Sequence, residues 1–408
     1  MNCRHCGAPL ALDFLNLGVA PPSNAYLNAF DVNAPEVWLP LRLMVCETCW
    51  LAQSIDYASS EGLFTPDYAY FSSFSTSWLE HSERYAREMI ARFELDRDST
   101  VCEVAANDGY LLQYFQKSGI PCFGVEPTAS TADAARSKGI EIVQSFFGRD
   151  LAQELVARGR AADLTAANNV LAHVPDINDF AAGFQILLRP DGVATFEFPH
   201  IVEMVRNNQF DTAYHEHYSY LSLTSVSRIF ASNGLTIFDV EHLPTHGGSL
   251  RIFAQRADSG RRSVKPAVSD LAAREAGAGL TDPDFYRQFQ GRAERIKDDA
   301  VSFLVEAKRK GRKVAAYGAA AKGNTLLNFA GVRPDLLRYV VDRNPAKQGR
   351  FLPGSRIPIV PEQTLIDHRP DFVVILPWNL AEELSRQLSY VGEWGGKLVA
   401  FVPELKIW

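Results

Sequence analysis

The spacing of apolar positions changes several times along this chain. Over the first 60 or so residues the hydrophobic segments are short and broken by Pro21-Pro22, Pro35 and Pro40, which suits small β elements in a module with little core of its own. Between 77 and 95, Trp78, Tyr85, Met89 and Phe93 recur at helical spacing and predict an amphipathic helix. From Thr100 onward, short apolar strands alternate with helical text. Strands are expected at 101–104, 122–127 and 162–169, with a helix opening at Tyr110, and a tight turn at 187–192 leads into a strand at 193–198. Residues 258–299 read as a helical connector broken at Gly277, Gly279 and Pro283. A second strand–helix series begins at Lys313, with strands at 314–318, 339–342 and 372–376 and a last one at 398–402.

Alternation of this kind predicts parallel sheets covered by helices. The expected fold class is α/β in three units: an N-terminal β module (1–75), a central α/β unit (76–255) and a smaller C-terminal α/β unit (256–408). The aromatic- and hydroxyl-rich stretch 57–76 joins the first two, and Tyr70 stands out there because it belongs to no periodic face.

Composition adds limits. Hydrophobic residues make up 47% of 408, enough for several cores. The formal charge, −7, gives no broad basic surface, so neither nucleic acid nor membrane is an expected partner. No apolar run approaches the about 18 residues of a spanning helix, and the first residues, Met1-Asn2-Cys3-Arg4-His5-Cys6, already form a motif. A cytoplasmic protein with reduced cysteines is expected. Cys3, Cys6, Cys46 and Cys49 form two C-x-x-C knuckles and predict one structural zinc held by four thiolates. Cys102 and Cys122, in strand-like text, read as packing residues.

The chemistry concentrates in two places. Glu103-Val104-Ala105-Ala106-Asn107-Asp108-Gly109 follows a strand and opens a helix, and Glu126 ends the next strand. That is a nucleotide-binding βαβ arrangement with a weakened glycine pattern, since Ala105 stands where a first glycine is usual. A pyrophosphate needs closer backbone approach; phosphate-free S-adenosylmethionine suits the looser turn. The order of this loop, the strand exit at Asn168-Asn169 and the L-x-P-x-G run at 188–192 are features of class I methyltransferases, so a class I S-adenosylmethionine methyltransferase fold is expected over 76–255, between the zinc-binding β module of 1–75 and a Rossmann-like α/β domain over 256–408. Second, Tyr214-His215-Glu216-His217-Tyr218 places two imidazoles and a carboxylate together, as expected of a site moving protons near neutral pH. His246-Gly247-Gly248 makes a tight turn that could face the same site. In the C-terminal series, the small-residue loop 319–325 carries Lys322 and Asn324 at a helix start, an anion cradle that is not a P-loop, so ATP is not expected. Asp342, Trp378 and Asn379 follow strands of that series.

These motifs in this order resemble the nucleotide-sugar C-methyltransferases, three-domain enzymes that make branched deoxysugars, over nearly the whole chain. The resemblance rests on the zinc knuckles, E-V-A-A-N-D-G at Glu103, N-N-V-L-A-H-V-P at Asn168, Y-H-E-H at Tyr214, H-G-G at His246 and Y-G-A-A-A-K at Tyr317. It implies zinc on Cys3, Cys6, Cys46 and Cys49, and S-adenosylmethionine on Glu103, Asn107, Asp108, Gly109 and Asn169, with Glu126 on the ribose. It also implies a dTDP-linked 4-keto-6-deoxysugar, with the diphosphate near Lys322 and Asn324 and with Asp342, Trp378, Asn379 and His246 as further substrate contacts. His217 would be the base, with Tyr214, Glu216, His173 and Tyr70 around the sugar, and the enzyme would be a monomer or weak homodimer. The chain departs from the family at Ala105 and Ala106, and at His215, where an acid is expected beside the reactive carbon.

The chemistry this implies is removal of a proton next to a ketone, a task for a base with a pKa near the working pH, followed by attack of the enolate carbon on a sulfonium methyl. Three rivals stand beside it: an O- or N-methyltransferase, a catalytic metal on His215, His217 and His246, and a non-catalytic scaffold.

Overall fold

The computed structural model describes residues 1–55 and 71–408; Tyr70 lies outside them. β1 (Leu12–Ala20), β2 (Leu39–Val45) and β3 (Ala52–Ser54) form an antiparallel meander. Its fourth strand comes from the middle of the chain: Ser219–Tyr220 pairs with β3, Ala52 opposite Tyr220 and Gln53 opposite Ser219.

The central sheet holds β4 (Val101–Val104), β5 (Cys122–Val125), β6 (Glu141–Val143), β7 (Ala162–Asn168) and β8 (Leu188–Pro199). With Ser219–Tyr220 counted as β9, β10 (Leu235–Leu243) and β11 (Ser249–Arg256) complete it. The order is β10-β11-β8-β7-β4-β5-β6. All neighbours are parallel except β11, which runs against both β8 and β10. The expected tight turn at 187–192 is instead absorbed into β8. Ala162 opposes Leu188 and Leu164 opposes Val193, so five steps on one strand match two on the other; the extra residues form an irregularity that carries Pro190 at the sheet end, where no ladder bond needs its missing N–H.

The third sheet, β14-β13-β12-β15-β16-β17, comprises β12 (Val314–Tyr317), β13 (Val340–Val341), β14 (Ile359–Val360), β15 (Phe372–Ile375), β16 (Lys397–Ala400) and β17 (Lys406–Ile407). β16 was the expected last strand; antiparallel β17 follows it and covers that edge. The connector is helical as expected, over Pro266–Gly277, Pro283–Arg287 and Phe289–Arg309. The amphipathic helix runs Thr76–Phe93, with Ser75 capping its first turn.

The N-terminal meander has no private core. Phe14 packs on Tyr286 and Phe289 of the connector at ring separations of 5.3 and 5.0 Å. Cys3, Cys46, Cys49 and Leu51 instead enter the core built on Phe180, Phe184, Phe196 and Phe230 of the central sheet.

Glu275 fastens the connector to the central sheet. Only 1% exposed, it accepts the backbone amides of Leu223 (2.7 Å) and Thr224 (2.8 Å) at the start of the Leu223–Ser232 helix, and the His200 ring at 2.8 Å. Burial raises its carboxyl, but the His200 and Thr224 bonds win and hold it below the usual carboxylate range. Replacing Glu275 with Ala leaves these donors unpaired and is expected to cost about 3–5 kcal/mol, read from the urea midpoint of unfolding.

Candidate active site

In each large sheet the strand order reverses at one place, between β4 and β7 in the central sheet and between β12 and β15 in the C-terminal one. Ligands bind open α/β sheets in the crevice at such a switch point, beyond the carboxyl ends of the strands. Here the two crevices meet. The loop Thr245–Gly247 touches Trp378–Leu380, and a Cβ added at Gly247, which has φ +88°, would lie 2.7 Å from the Trp378 ring.

The first crevice is lined with acids. Glu103 is completely buried, and neither of its oxygens has a hydrogen bond of normal geometry. Burial, opposed by the Tyr110 hydroxyl and reinforced by Asp108 and Glu126, lifts its carboxyl well above the usual range. Glu126 accepts the Asn107 and Thr128 amides at 2.9 Å each, stapling the loop; burial nevertheless raises its carboxyl too. Lys138 lies 3.3 Å from Asp108. The turn is made from left-handed residues: Ala105 (φ 61°), Asn107 (φ 49°) and Gly109 (φ 76°). At Gly109 a Cβ would strike Ile140 Cδ1 at 2.3 Å. Across the crevice Asn169 (φ 56°) donates its Nδ2 to His246 Nε2 at 3.1 Å, and Trp78 lies 5.9 Å from Tyr110 and 5.4 Å from His246. Three neighbouring carboxyl groups suit a ligand bearing an ammonium, a sulfonium and hydroxyl donors, whose positive charge would favour their ionised forms. That donor set fits S-adenosylmethionine, which Glu103, Asn107, Asp108, Gly109, Glu126 and Asn169 would hold.

Between the crevices lies the histidine segment. It is a turn, not an extended strand: the His217 amide returns to the Tyr214 carbonyl at 2.9 Å, and the chain reaches β9 only at Ser219. β9 is two residues long because Ser222 and Ser225 form a capping box that starts the next helix. His217 Nδ1 bonds the Thr212 carbonyl at 3.0 Å. That bond gives Nδ1 the proton and leaves Nε2 as the basic nitrogen of the neutral ring. Tyr214 lies on the ring at 3.8 Å and His173 meets it edge-on at 4.6 Å. Burial, followed by His173, Lys322 and His246, pushes the His217 imidazole well below its ordinary value. Burial also takes His173 and His246 down to about 4. The His217 ring is therefore not poised near neutrality; burial favours its uncharged form.

Glu216, 2% exposed, accepts Asn24 Nδ2 at 2.8 and 3.0 Å on its two oxygens. His215 faces the other way, with Nε2 3.2 Å from the Leu39 carbonyl of β2. The expectation that it lies beside the reactive carbon is corrected: the turn directs it into the N-terminal meander. The rival reading of a catalytic metal on His215, His217 and His246 finds no support in this geometry. Among the described residues, the only His, Cys, Asp or Glu group of three or more able to share an ion is Cys3, Cys6, Cys46 and Cys49.

In the second crevice Lys322 reaches Asn379 Oδ1 at 3.1 Å and stands 4.6 Å from the Trp378 ring centre. Burial lowers its ammonium to about 8, against the pull of Asp211. Asn324 and Asp342 do other work in this structure. Asn324 donates to the Ser23 carbonyl at 2.6 Å, and Asp342 accepts the Ala319 and Asn344 amides at 2.8 Å each; both pin loops. Sequence reading passed over Asp211, which is fully buried, accepts the Trp378 indole N–H at 2.8 Å and is pushed up to about 7 by burial. Nothing in Phe210-Asp211-Thr212 marks it. Asn24, inside what reads as module text, was passed over for the same reason.

The four cysteine sulfurs lie within 4.8 Å of one another, Cys3–Cys49 and Cys6–Cys46 each at 3.5 Å. Thiolates at about 2.3 Å from a tetrahedral zinc stand roughly 3.8 Å apart, so the cluster has the right size. Gln53 Nε2 donates to Cys3 Sγ at 3.3 Å, the kind of bond that orients a metal ligand.

An acid-lined crevice at the switch point of a sheet in this order defines an S-adenosylmethionine-dependent methyltransferase, here with a zinc module. Comparison with known proteins narrows the class. Residues 3–64 match a zinc binding domain, 78–240 a methyltransferase domain and 244–403 a C-methyltransferase C-terminal domain. C-methyltransferase NovU of Streptomyces niveus is 34% identical over 406 residues, covering 100% of this chain and 96% of that protein. The chain belongs to this family of C-methyltransferases. Among solved structures, magnesium protoporphyrin IX methyltransferase of Synechocystis PCC 6803 with bound SAM is similar at 16% identity and a TM-score of 0.34, over 44% of this chain and 79% of that one. A chain from the complex between the Haloferax volcanii Trm112 methyltransferase activator and a methyltransferase is similar at 13% identity and a TM-score of 0.35, over 46% of this chain and 95% of that one.

Two expectations follow. Ala105→Gly removes the left-handed strain and should raise stability by up to about 1 kcal/mol, with S-adenosylmethionine affinity unchanged by calorimetry. Cys46→Ser should abolish stoichiometric zinc by elemental analysis and lower the Tm, because the metal closes a module that shares both neighbouring cores.

Proposed function

We propose that this enzyme transfers a methyl group from S-adenosylmethionine to C-3 of a nucleotide-linked, dTDP-type 4-keto-6-deoxysugar. The observation that carries the proposal is a buried imidazole, fixed through Nδ1 by the Thr212 carbonyl, at the junction of two ligand crevices. One crevice is acidic and suits a cationic methyl donor; the other carries Lys322 at a helix start and suits an anion. The arrangement favours three functional units, 1–75, 76–255 and 256–408.

His217 Nε2 takes the proton from C-3, which a neighbouring ketone acidifies. The charge moves to the C-4 oxygen, where Tyr214, His173 or Tyr70 donates to it. Lys322, with Asn379, Trp378 and His246 near it, holds the diphosphate end. Glu216 binds a hydroxyl or amine of the sugar and so helps fix its face. Bound S-adenosylmethionine supplies the electrophilic methyl. Closing out water keeps the imidazole unprotonated and strengthens each of these contacts.

Enzyme, labelled cofactor and a small panel of dTDP-4-keto sugars provide the test. The expected product keeps its ketone and gains a quaternary carbon by NMR; methyl on oxygen or nitrogen instead would refute the reading. His217→Ala should lower kcat by roughly 10²–10⁴-fold while S-adenosylmethionine binding stays within about twofold of wild type.

The pH profile has a definite sign. His217 is neutral above a depressed pKa, so kcat/KM should hold down through 6.5, the ordinary imidazole value, and fall only in more acid solution. Lys322 loses its proton near 8, so an alkaline limb should begin there, and Lys322→Arg should move that limb upward.

A further inference from the structure

We infer that Asn24 is a positioning residue of the active site, so that the N-terminal module takes part directly in the reaction. The inference rests on the proposed role of Glu216 at the substrate. Glu216 is almost completely buried, and the half-buried Asn24 amide meets both its oxygens at 2.8 and 3.0 Å. An ionised carboxylate accepts only, so a donor that spans both oxygens restricts its rotation.

The loop that carries Asn24 is held from the other side. Pro21 and Pro22 restrict its entrance. The Ser23 carbonyl accepts Asn324 Nδ2 at 2.6 Å, from the helix Ala321–Phe329 that also carries Lys322. The Tyr26 hydroxyl donates to the Ala319 carbonyl at 2.6 Å; Lys347 donates to the same carbonyl at 2.8 Å and stands 5.3 Å from the Tyr26 ring centre. Leu27 and Phe351 then exchange backbone bonds at 3.0 and 2.8 Å. The loop is therefore a spacer between the second crevice and the histidine turn, and Asn24 is the side chain by which it reaches that turn.

The chemistry of the donor matters. An amide orients Glu216 without adding the positive charge that an arginine or lysine would bring, and leaves the carboxyl group able to meet a hydroxyl or amine of the sugar. Glu216 then sets the substrate face presented to His217, with Asn24 acting through it.

The test compares Asn24→Ala, Asn24→Ser and Asn24→Asp in the full zinc-loaded enzyme. Asn24→Ala should lower kcat/KM roughly 10- to 100-fold, the loss typical of a bond to a charged group. S-adenosylmethionine affinity, zinc content and Tm should stay near wild type, and Asn24→Ser should recover part of the loss. Asn24→Asp sets two carboxyls face to face, so they should share a proton. The Glu216 carboxyl titration, followed by 13C NMR against Glu216→Gln, should therefore move up by about one pH unit or more. Unchanged kinetics and titration in Asn24→Ala and Asn24→Asp would overturn the inference. So would a parallel fall in Tm, cofactor affinity and activity, which is the mark of a merely structural loop. If the wild-type enzyme methylates no keto-sugar, the proposed function fails on that result alone, and the shift in the Glu216 titration still decides the Asn24 contact.

Discussion

Exclusion of water from the junction of the two crevices is the constraint on which the rest of the structure depends. It keeps the imidazoles of His173, His217 and His246 neutral, draws Lys322 down to about 8 and lifts Asp211 to about 7. Those shifts share one cause, the cost of holding a charge away from solvent. The Thr245–Gly247 loop and Trp378 close one side of that junction. Their contact is close enough that Gly247 leaves no room for a side chain, and the indole continues the seal by bonding Asp211.

Two switch-point crevices can face one another only if something holds the sheets in that attitude. The N-terminal meander does much of this. It lends one set of apolar residues to the core beside the connector and another to the central core, and it accepts β9, the strand that follows His217, as its own edge. A layer divided in this way cannot gain much stability by itself, which gives a four-thiolate zinc its physical purpose. Glu275 serves the same end from the connector, drawing one helix start and one histidine to a single buried carboxylate.

Backbone strain is distributed with the chemistry. Ala105, Asn107, Asn169 and His246 all adopt left-handed conformations that ordinary side chains avoid, and all four line the first crevice or its rim. Ala105 shows that the missing glycine did not change the turn. The alanine adopts the glycine-like angle, while Gly124, where a Cβ would lie 2.5 Å from the Ala106 Cβ, makes room for the neighbouring residue.

Much of this was legible in the chain itself. The period of apolar positions marked the helix at Thr76–Phe93 and the strands β4, β5, β7, β12 and β15, because burial on one or two faces imposes that period locally. The paired C-x-x-C knuckles and the acids at the strand ends announced metal and cofactor, since each chemistry demands those residue types, and the Y-H-E-H cluster marked a group of buried imidazoles. Folding in three dimensions decided the rest. A turn instead of an extended strand at Tyr214–His217 follows from pairing with β3, some 160 residues earlier, and that turn sends His215 away and Glu216 toward Asn24. Asn324 and Asp342 hold loops, and Asp211 meets Trp378, through contacts between segments with no common local pattern. Local sequence carries the period and the chemistry of a segment; which groups share a dry space depends on the free energy of packing distant segments together, and no short stretch contains that term.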